Sequence, residues 1–416
     1  MSKMNSRMEF PGMQERFFSY VKIDTQSNDN TTDFPTTSKQ LDLQRKLKEE
    51  MDQMGLKNVT LTEWGYVLGT LETNQDRIMP TIALIAHADT SPDVSGTNVN
   101  PQIHANYDGG DIYLPKDNVV IKVDENPHLK EKIGKTIFTS DGSTLLGADN
   151  KAGITEILCA VQYLIDNPGI PRPNIRILVT PDEEVGRGTE HIAPKDIDAS
   201  FAYTIDGEKL GEIEDETFCA DSIEIKIRGV NVHPGYAKNK LVNAVKIAAD
   251  IISQFPKDKM SPETTEKREG YIHPHQISGN GEETVIKMLI RDFEEIGLKQ
   301  KEDFIKNIVD SVNKQYPKAG IDFKVIESYR NMKIILDQHP QVLEKAVKAV
   351  ERAGLPPKKN IIRGGTDGAR LSFMGLPTPN IFTGGSNFHS RQEWITLEDM
   401  QKASEVIVHL MTLWTE

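Results

Sequence analysis

The 416-residue sequence predicts an α/β protein: a mainly parallel, helix-covered sheet with an α+β domain set into it. Three observations point there. Through about Glu214, apolar strand-length runs alternate with amphipathic helices, the pattern of parallel sheets covered on both faces. From Asp221 onward, strands alternate apolar and polar strictly, which marks one wet face. The chain is also too long for one ordinary core, so two domains are expected.

The elements follow in chain order. Thr81-Ile-Ala-Leu-Ile-Ala86 is a buried strand that delivers His87-Ala-Asp89 at its end. Residues 108–135, rich in Gly, Asp, Pro and Lys, read as an irregular excursion. Gly147-Ala-Asp-Asn-Lys-Ala-Gly153 places Asp149 just before a helix. That helix carries apolar residues at Ile154, Ile157, Leu158, Val161, Leu164 and Ile165, the helical period. The strand at residues 174–180 runs into Pro181-Asp-Glu-Glu184, and the one at residues 201–205 delivers Asp206. Next come a strand at 221–228 and a helix with Leu241, Val245, Ala248 and Ile252. Strands at 270–278 and 283–293 follow, joined by the turn signal Gly279-Asn-Gly281. A helix with Phe304, Ile308 and Val312 and a strand at 321–329 complete a β-α-β-β-α-β order, a ferredoxin-like unit. Pro379-Asn-Ile-Phe-Thr-Gly-Gly385 then leads into Ser386-Asn-Phe-His389. The expected plan is therefore one domain from residues 1–215 and 330–416, interrupted by residues 216–329.

The chemistry is written at the strand ends. Open α/β folds place ligands at the carboxyl edge of the sheet. Adjacent carboxylates such as Glu183 and Glu184 repel unless a cation or shared proton relieves them. Neighbouring side chains in extended backbone diverge, so the two can do different jobs: one binds a metal, the other takes a proton from water. A lone Glu-Glu is ordinarily a solvated acidic turn; what changes that is its company. His87, Asp149, Asp206 and His389 also arise where strands stop or a helix begins. Two imidazoles and three carboxylates suit zinc, and without cysteine among them a Cys-rich structural site is excluded. Five ligands exceed the three that one catalytic zinc needs, so two metals about 3.5–4 Å apart, sharing a carboxylate, fit better.

Seven stretches, taken together, are specific. They are Ile85-Ala-His-Ala-Asp-Thr-Ser-Pro-Asp93, Leu146-Gly-Ala-Asp-Asn-Lys-Ala-Gly153, Thr180-Pro-Asp-Glu-Glu-Val-Gly-Arg-Gly188, Thr204-Ile-Asp-Gly-Glu208, Gly229-Val-Asn-Val-His-Pro-Gly235, Arg363-Gly-Gly-Thr-Asp-Gly368 and Gly384-Gly-Ser-Asn-Phe-His-Ser390. In this order they resemble the peptidase T family of tripeptide aminopeptidases, in the di-zinc aminopeptidase/carboxypeptidase superfamily. The resemblance implies a di-zinc exopeptidase fold with two zinc ions per subunit, cobalt or manganese being alternatives. It implies that His87, Asp149 and Asp206 hold one metal and that Asp149, Glu184 and His389 hold the other, with Asp149 bridging. Glu183 is the implied general base and acid, and Asp89 the implied hydrogen-bond acceptor for His87. A cis peptide bond at Asp149–Asn150 is implied as well. His233 is expected to reach the partner subunit's active site in a homodimer and to stabilise the oxyanion. Arg291 and Arg363 are candidates for the substrate carboxylate, and Gly365 for the cleft wall; their plain alternatives are solvated arginines and a glycine turn. Because His233 lies in the inserted domain, that domain is expected to act as a lid that closes on substrate.

Composition narrows the partners. A formal net charge of −13 argues against nucleic acid and an anionic membrane surface. Cys159 and Cys219 are the only cysteines and suit a reducing compartment. No signal-like or membrane-spanning apolar stretch is evident, so a soluble cytoplasmic enzyme acting on short peptides is expected. Gly142-Ser-Thr-Leu-Leu-Gly147 begins like a phosphate-binding loop, but Ala148-Asp149 stands where Lys-Ser/Thr is required. A dipeptidase or N-acyl amino acid deacylase on the same scaffold remains open, as does a metal-loaded binding protein without turnover. Glu183 counts against the last, since binding alone does not need a base.

Overall fold

The computed structural model describes residues 8–416, and its contacts divide the chain into two compact units. Of the described residues, the first comprises 8–215, 334–360 and 366–416; the second comprises 216–333 and 361–365. In chain order the main strands are β1 (Lys57–Leu61), β2 (Val67–Leu71), β3 (Ile82–His87), β4 (Ile175–Thr180), β5 (Phe201–Gly207) and β6 (Glu212–Thr217). Then come β7 (Cys219–Arg228), β8 (Tyr271–Gly279), β9 (Glu283–Asp292), β10 (Gly320–Tyr329), β11 (Lys358–Ile362) and β12 (Asn380–Phe382). The principal helices are α1 (Met13–Val21), α2 (Gln40–Gln53), α3 (Ala148–Asp166), α4 (Ala244–Ile252), α5 (Glu295–Gln315), α6 (Pro340–Arg352), α7 (Asp367–Phe373) and α8 (Leu397–Leu413).

The first unit is built on an eight-stranded sheet of order β1-β2-β4-β3-β5-β12-β6-β11. Its four central strands, β4, β3, β5 and β12, run parallel, while β2 and β6 join them antiparallel. Every residue of β3 is buried, as a strand covered on both faces requires. Helix α3 packs on β3 and β5, and α1 and α8 pack on α3. This explains why α3 is buried nearly all round rather than along one stripe. Ala83, Ile85, Leu178 and Ala202 join Leu371 of α7 in a further apolar cluster. Residues 108–135 are more ordered than expected: a short hairpin and a 3-10 turn (Pro127–Lys132) enclose a small core of Tyr107, Ile112, Leu114, Ile121 and Leu129 with Trp394.

The second unit is a four-stranded antiparallel sheet of order β8-β9-β7-β10, with α4 and α5 packed on it. Ile223, Ile225 and Ile227 of β7 and Ile286, Met288 and Ile290 of β9 form its core with the two helices. The buried face of α4 is Ala244, Ile247, Ala248 and Ile251, and Val245 is largely exposed. The sequence reading chose the neighbouring phase, and Leu241 lies before the helix begins. Lys246 and Asp250 mark the polar side, but Val245 and Ile252 flank the buried face and widen the apolar stripe, so its centre was displaced by one position. Among the described residues no helix is long and apolar enough to cross a membrane.

Candidate metal centre

Parallel strands bring their carboxyl ends to one edge, and that edge gathers the acids and imidazoles. His87 is the last residue of β3, Asp206 stands near the end of β5, and Glu183 and Glu184 follow β4. Asp149 opens α3 in a non-helical conformation, after Gly147 at φ 84° and before a cis Asp149–Asn150 peptide. His389 lies in the turn beyond β12.

His87 Nε2 lies 3.0 Å from Asp149 Oδ1 and 3.3 Å from Asp206 Oδ1. His389 Nε2 lies 3.2 Å from Asp149 Oδ2 and 2.8 Å from Glu184 Oε2. Two triads result, His87/Asp149/Asp206 and Asp149/Glu184/His389, each with its ligand atoms within 4.8 Å of one another. Asp149 belongs to both, one oxygen toward each histidine. His87 is buried, whereas His389 keeps 39% of its side chain exposed and is the open side of the cluster.

Groups this close reset one another's protonation. Burial, reinforced by the charge of Asp149, pushes Glu184 up to about 8, and burial pushes Asp206 up to about 6. Burial also raises Glu183 well above the usual carboxylate range. For Asp149 burial works the same way, but hydrogen bonds from His389 and His87 outweigh it and hold the acid low. His389 rises to about 11: burial opposes this, and its bonds to Asp149 and Glu184 prevail. The donor set fits a pair of divalent cations. It is nitrogen and oxygen only, it is preassembled, and Glu184 Oε1 is buried with no hydrogen-bond partner among the described residues.

Around the triads the acids divide their work. Glu183 joins neither triad; its Oε1 accepts the Asp367 N–H at 3.2 Å. Asp367, itself buried, accepts from Thr180 Oγ1 at 2.8 Å. The nearest acceptor for His87 Nδ1 is the main-chain carbonyl of Asp89, at 3.0 Å, with Asp89 Oδ1 at 3.4 Å. The Asp89 carboxylate also accepts the N–H groups of Glu183 and Glu184, at 3.0 and 3.2 Å. It therefore grips the turn that carries both glutamates.

Sequence reasoning missed two residues that build this site. Asp182, at φ 55°, accepts from Thr36 N–H at 2.7 Å, from Thr36 Oγ1, and from Gln40 Nε2 at 2.6 Å. Its own N–H donates back to Gln40 Oε1 at 3.1 Å. Glu393, only 1% exposed, accepts N–H groups of the loop before α3. Asp182 shares the strand end with Glu183 and Glu184 but turns away to Thr36 and Gln40, and Glu393 follows no apolar run, so position alone singled out neither.

The remaining candidates belong to the second unit. His233 is exposed at the 3-10 turn Pro234–Tyr236, and its Nδ1 accepts the Gly235 N–H at 3.1 Å. Arg291 lies over the Tyr329 ring, 5.6 Å from its centroid, and donates to the carbonyls of Ile290 at 2.9 Å and Asp221 at 3.3 Å. Arg363 is engaged by the carbonyls of Lys267 and Glu269, at 2.6 and 2.9 Å, and by Thr265 Oγ1 at 3.0 Å. A Cβ at Gly365 would lie 2.5 Å from the Tyr329 ring, so any larger residue there must displace that ring, a packing reason for glycine.

Residues 139–413 match the model of peptidase family M20/M25/M40. A protein of Caldanaerobacter subterraneus named Peptidase T is 47% identical over 401 residues, 96% of this chain and 98% of its own. Peptidase T of Clostridium perfringens is 45% identical over 404 residues, covering 97% and 99%. Among solved structures, the aminopeptidase PepT of Bacillus cereus superposes with a TM-score of 0.76 at 22% identity, covering 99% of this chain and all of that one. A dinuclear metal-binding peptidase of the M20 family from Bacillus subtilis gives 0.64 at 13% identity, covering 96% and 98%. At those identities the structural likeness speaks for the fold alone. The curated relatives and the family model go further, and the chain belongs to the peptidase T group of peptidase family M20/M25/M40.

Proposed function

We propose that the chain is a metal-dependent aminopeptidase that removes the N-terminal residue from tripeptides. The shared Asp149 carries this conclusion: two ligand triads meet on one carboxylate, and Glu183 stands beside them in neither. Relatives 45–47% identical that bear the name Peptidase T support the substrate class.

In this reading His87, Asp149 and Asp206 hold one cation, and Asp149, Glu184 and His389 hold the other. Zinc suits the donors, with cobalt or manganese as alternatives set by availability. When bound, the ions supply Lewis acidity and lower the pKa of water from about 15.7 towards 7. Glu183 takes the proton of the attacking water at its carboxylate and returns it to the leaving amine. Asp367 orients Glu183 through its N–H, and Asp89 keeps the two glutamates aimed apart. His233 is the proposed donor to the oxyanion, and Arg291 and Arg363 are proposed partners of the substrate carboxylate. Substituting His233 by Ala should lower kcat by about 10²–10³.

The same proposal includes a cytoplasmic homodimer. Free, buried Cys159 and Cys219 suit a reducing compartment. The open edges of β8 and β10, where Val325 and Ile326 remain exposed, suit association between copies of the second unit. The direct test titrates zinc into metal-free protein while following tripeptide hydrolysis. Activity should rise to a plateau at about two equivalents, the number a shared-carboxylate site holds. Full activity without added metal would remove the proposal.

A further inference from the structure

Each histidine of the centre is followed by a buried carboxylate that binds no ligand position. Asp89, two residues past His87, grips the backbone of Glu183 and Glu184. Glu393, four residues past His389, does the same to the other acid-bearing loop. Its Oε2 accepts the N–H groups of Leu146 at 2.7 Å and Gly147 at 2.8 Å, and its Oε1 accepts that of Asp149 at 3.1 Å. The Glu393 side chain is buried, and buried Lys151, whose Nζ donates to the Ile23 carbonyl, interacts with it through charge. A buried carboxylate is costly unless several N–H groups replace its water. Three main-chain donors converging on one carboxylate form an anion nest, closed here by a side chain of the protein itself.

The consequence concerns Asp149, the one ligand both triads share. Its backbone is fixed by a residue on the loop that carries His389. The two loops supplying Asp149 and His389 are thus tied together without the metal. Such outer partners hold ligands in register, and their loss typically costs about 10–100-fold in metal affinity or activity.

We infer that Glu393 is a positioning residue for the metal centre, holding bridging Asp149 in register with His389 through the Leu146–Asp149 backbone. This rests on the two-metal reading above. Glu393→Gln keeps the shape but turns an NH₂ group toward main-chain donors, so at least one of the three bonds is lost. Glu393→Asp keeps the charge and withdraws it by one methylene.

The test is a cobalt(II) titration of metal-free full-length protein, read by visible absorption, with zinc affinity from chelator competition. Metal-free melting temperatures are recorded alongside. For Glu393→Gln we expect zinc bound about 10–100-fold more weakly and a changed cobalt spectrum, with Glu393→Asp intermediate. If Glu393→Gln does not fold, Glu393→Asp alone must still show the altered spectrum. A variant with a lower melting temperature but wild-type cobalt spectrum and zinc affinity would make Glu393 merely structural and overturn the inference. Wild-type protein that takes up no pair of ions would instead overturn the two-metal reading, and this inference with it.

Discussion

Glu183 and Glu184 are neighbours with the same chemistry, yet their surroundings separate them. Glu184 offers Oε2 to the His389 side of the cluster, and Glu183 is oriented by the Asp367 N–H. Glu183→Gln should therefore keep its metal and lose about 10²–10⁴ in kcat, the usual span for a general acid–base. Glu184→Gln should instead release metal to a chelator more readily, with metal analysis after dialysis as the check. Near-normal turnover by Glu183→Gln would end this division of labour. Two turns along α3 from Asp149, Glu156 is buried with neither oxygen hydrogen-bonded among the described residues, and burial plus the charge of Asp399 raises its pKa well above the usual range. Asp399 is itself ion-paired to Lys132 and Lys135. The folded state therefore holds a proton that the unfolded chain releases near the ordinary value, so stability falls as pH rises through that window. Melting curves at pH 5 and 8 should show Glu156→Leu gaining on the native chain as pH increases. An unchanged difference between the two would contradict this. The candidate metal-site residues were legible in sequence because they fall just after apolar strands or at the start of a helix. Asp182 and Glu393 were not, because their partners, Thr36 and Gln40 for the first and main-chain N–H groups for the second, come from distant segments and leave no local pattern.

At the scale of elements, the site depends on how closely α3 approaches β5. A Cβ at Gly153 would lie 2.0 Å from the Ile205 carbonyl and 2.3 Å from Asn150 Oδ1. Gly153→Ala must push α3 away from the strand that carries Asp206, and overpacking of this kind costs about 1–3 kcal/mol. Both melting temperature and zinc affinity should fall; a variant as stable as the native chain would show that α3 has slack. Strand and helix order in both units was readable, since apolar runs of strand length and helical stripes differ in period. The centre of the buried face of α4 was not, because Val245 and Ile252 widen its apolar stripe beyond the residues that are buried. The order within residues 108–135 was hidden for another reason: its small core draws Trp394 from far along the chain, a contact no local pattern records.

For the whole molecule, metal and folding should be linked. The five proposed ligands, from separate strand ends and loops, come together only in the folded chain, so ions bound there should stabilise it by mass action. At a free zinc concentration of about 1,000 times Kd the gain is roughly 4 kcal/mol. Chelation should lower the melting temperature, and a midpoint indifferent to chelator would deny a preassembled site. The two-unit organisation also places His233, Arg291 and Arg363 on a body separate from the triads in the contact pattern. Their roles in substrate selection are thus questions for kinetics on the assembled enzyme. The most direct measurement is release of the N-terminal amino acid from a free tripeptide, its N-acetylated twin and the corresponding dipeptide, each with zinc and with chelator. Zinc-dependent cleavage of the free tripeptide alone is the predicted result. Cleavage of the blocked peptide or the dipeptide, or none at all, would contradict a tripeptide aminopeptidase.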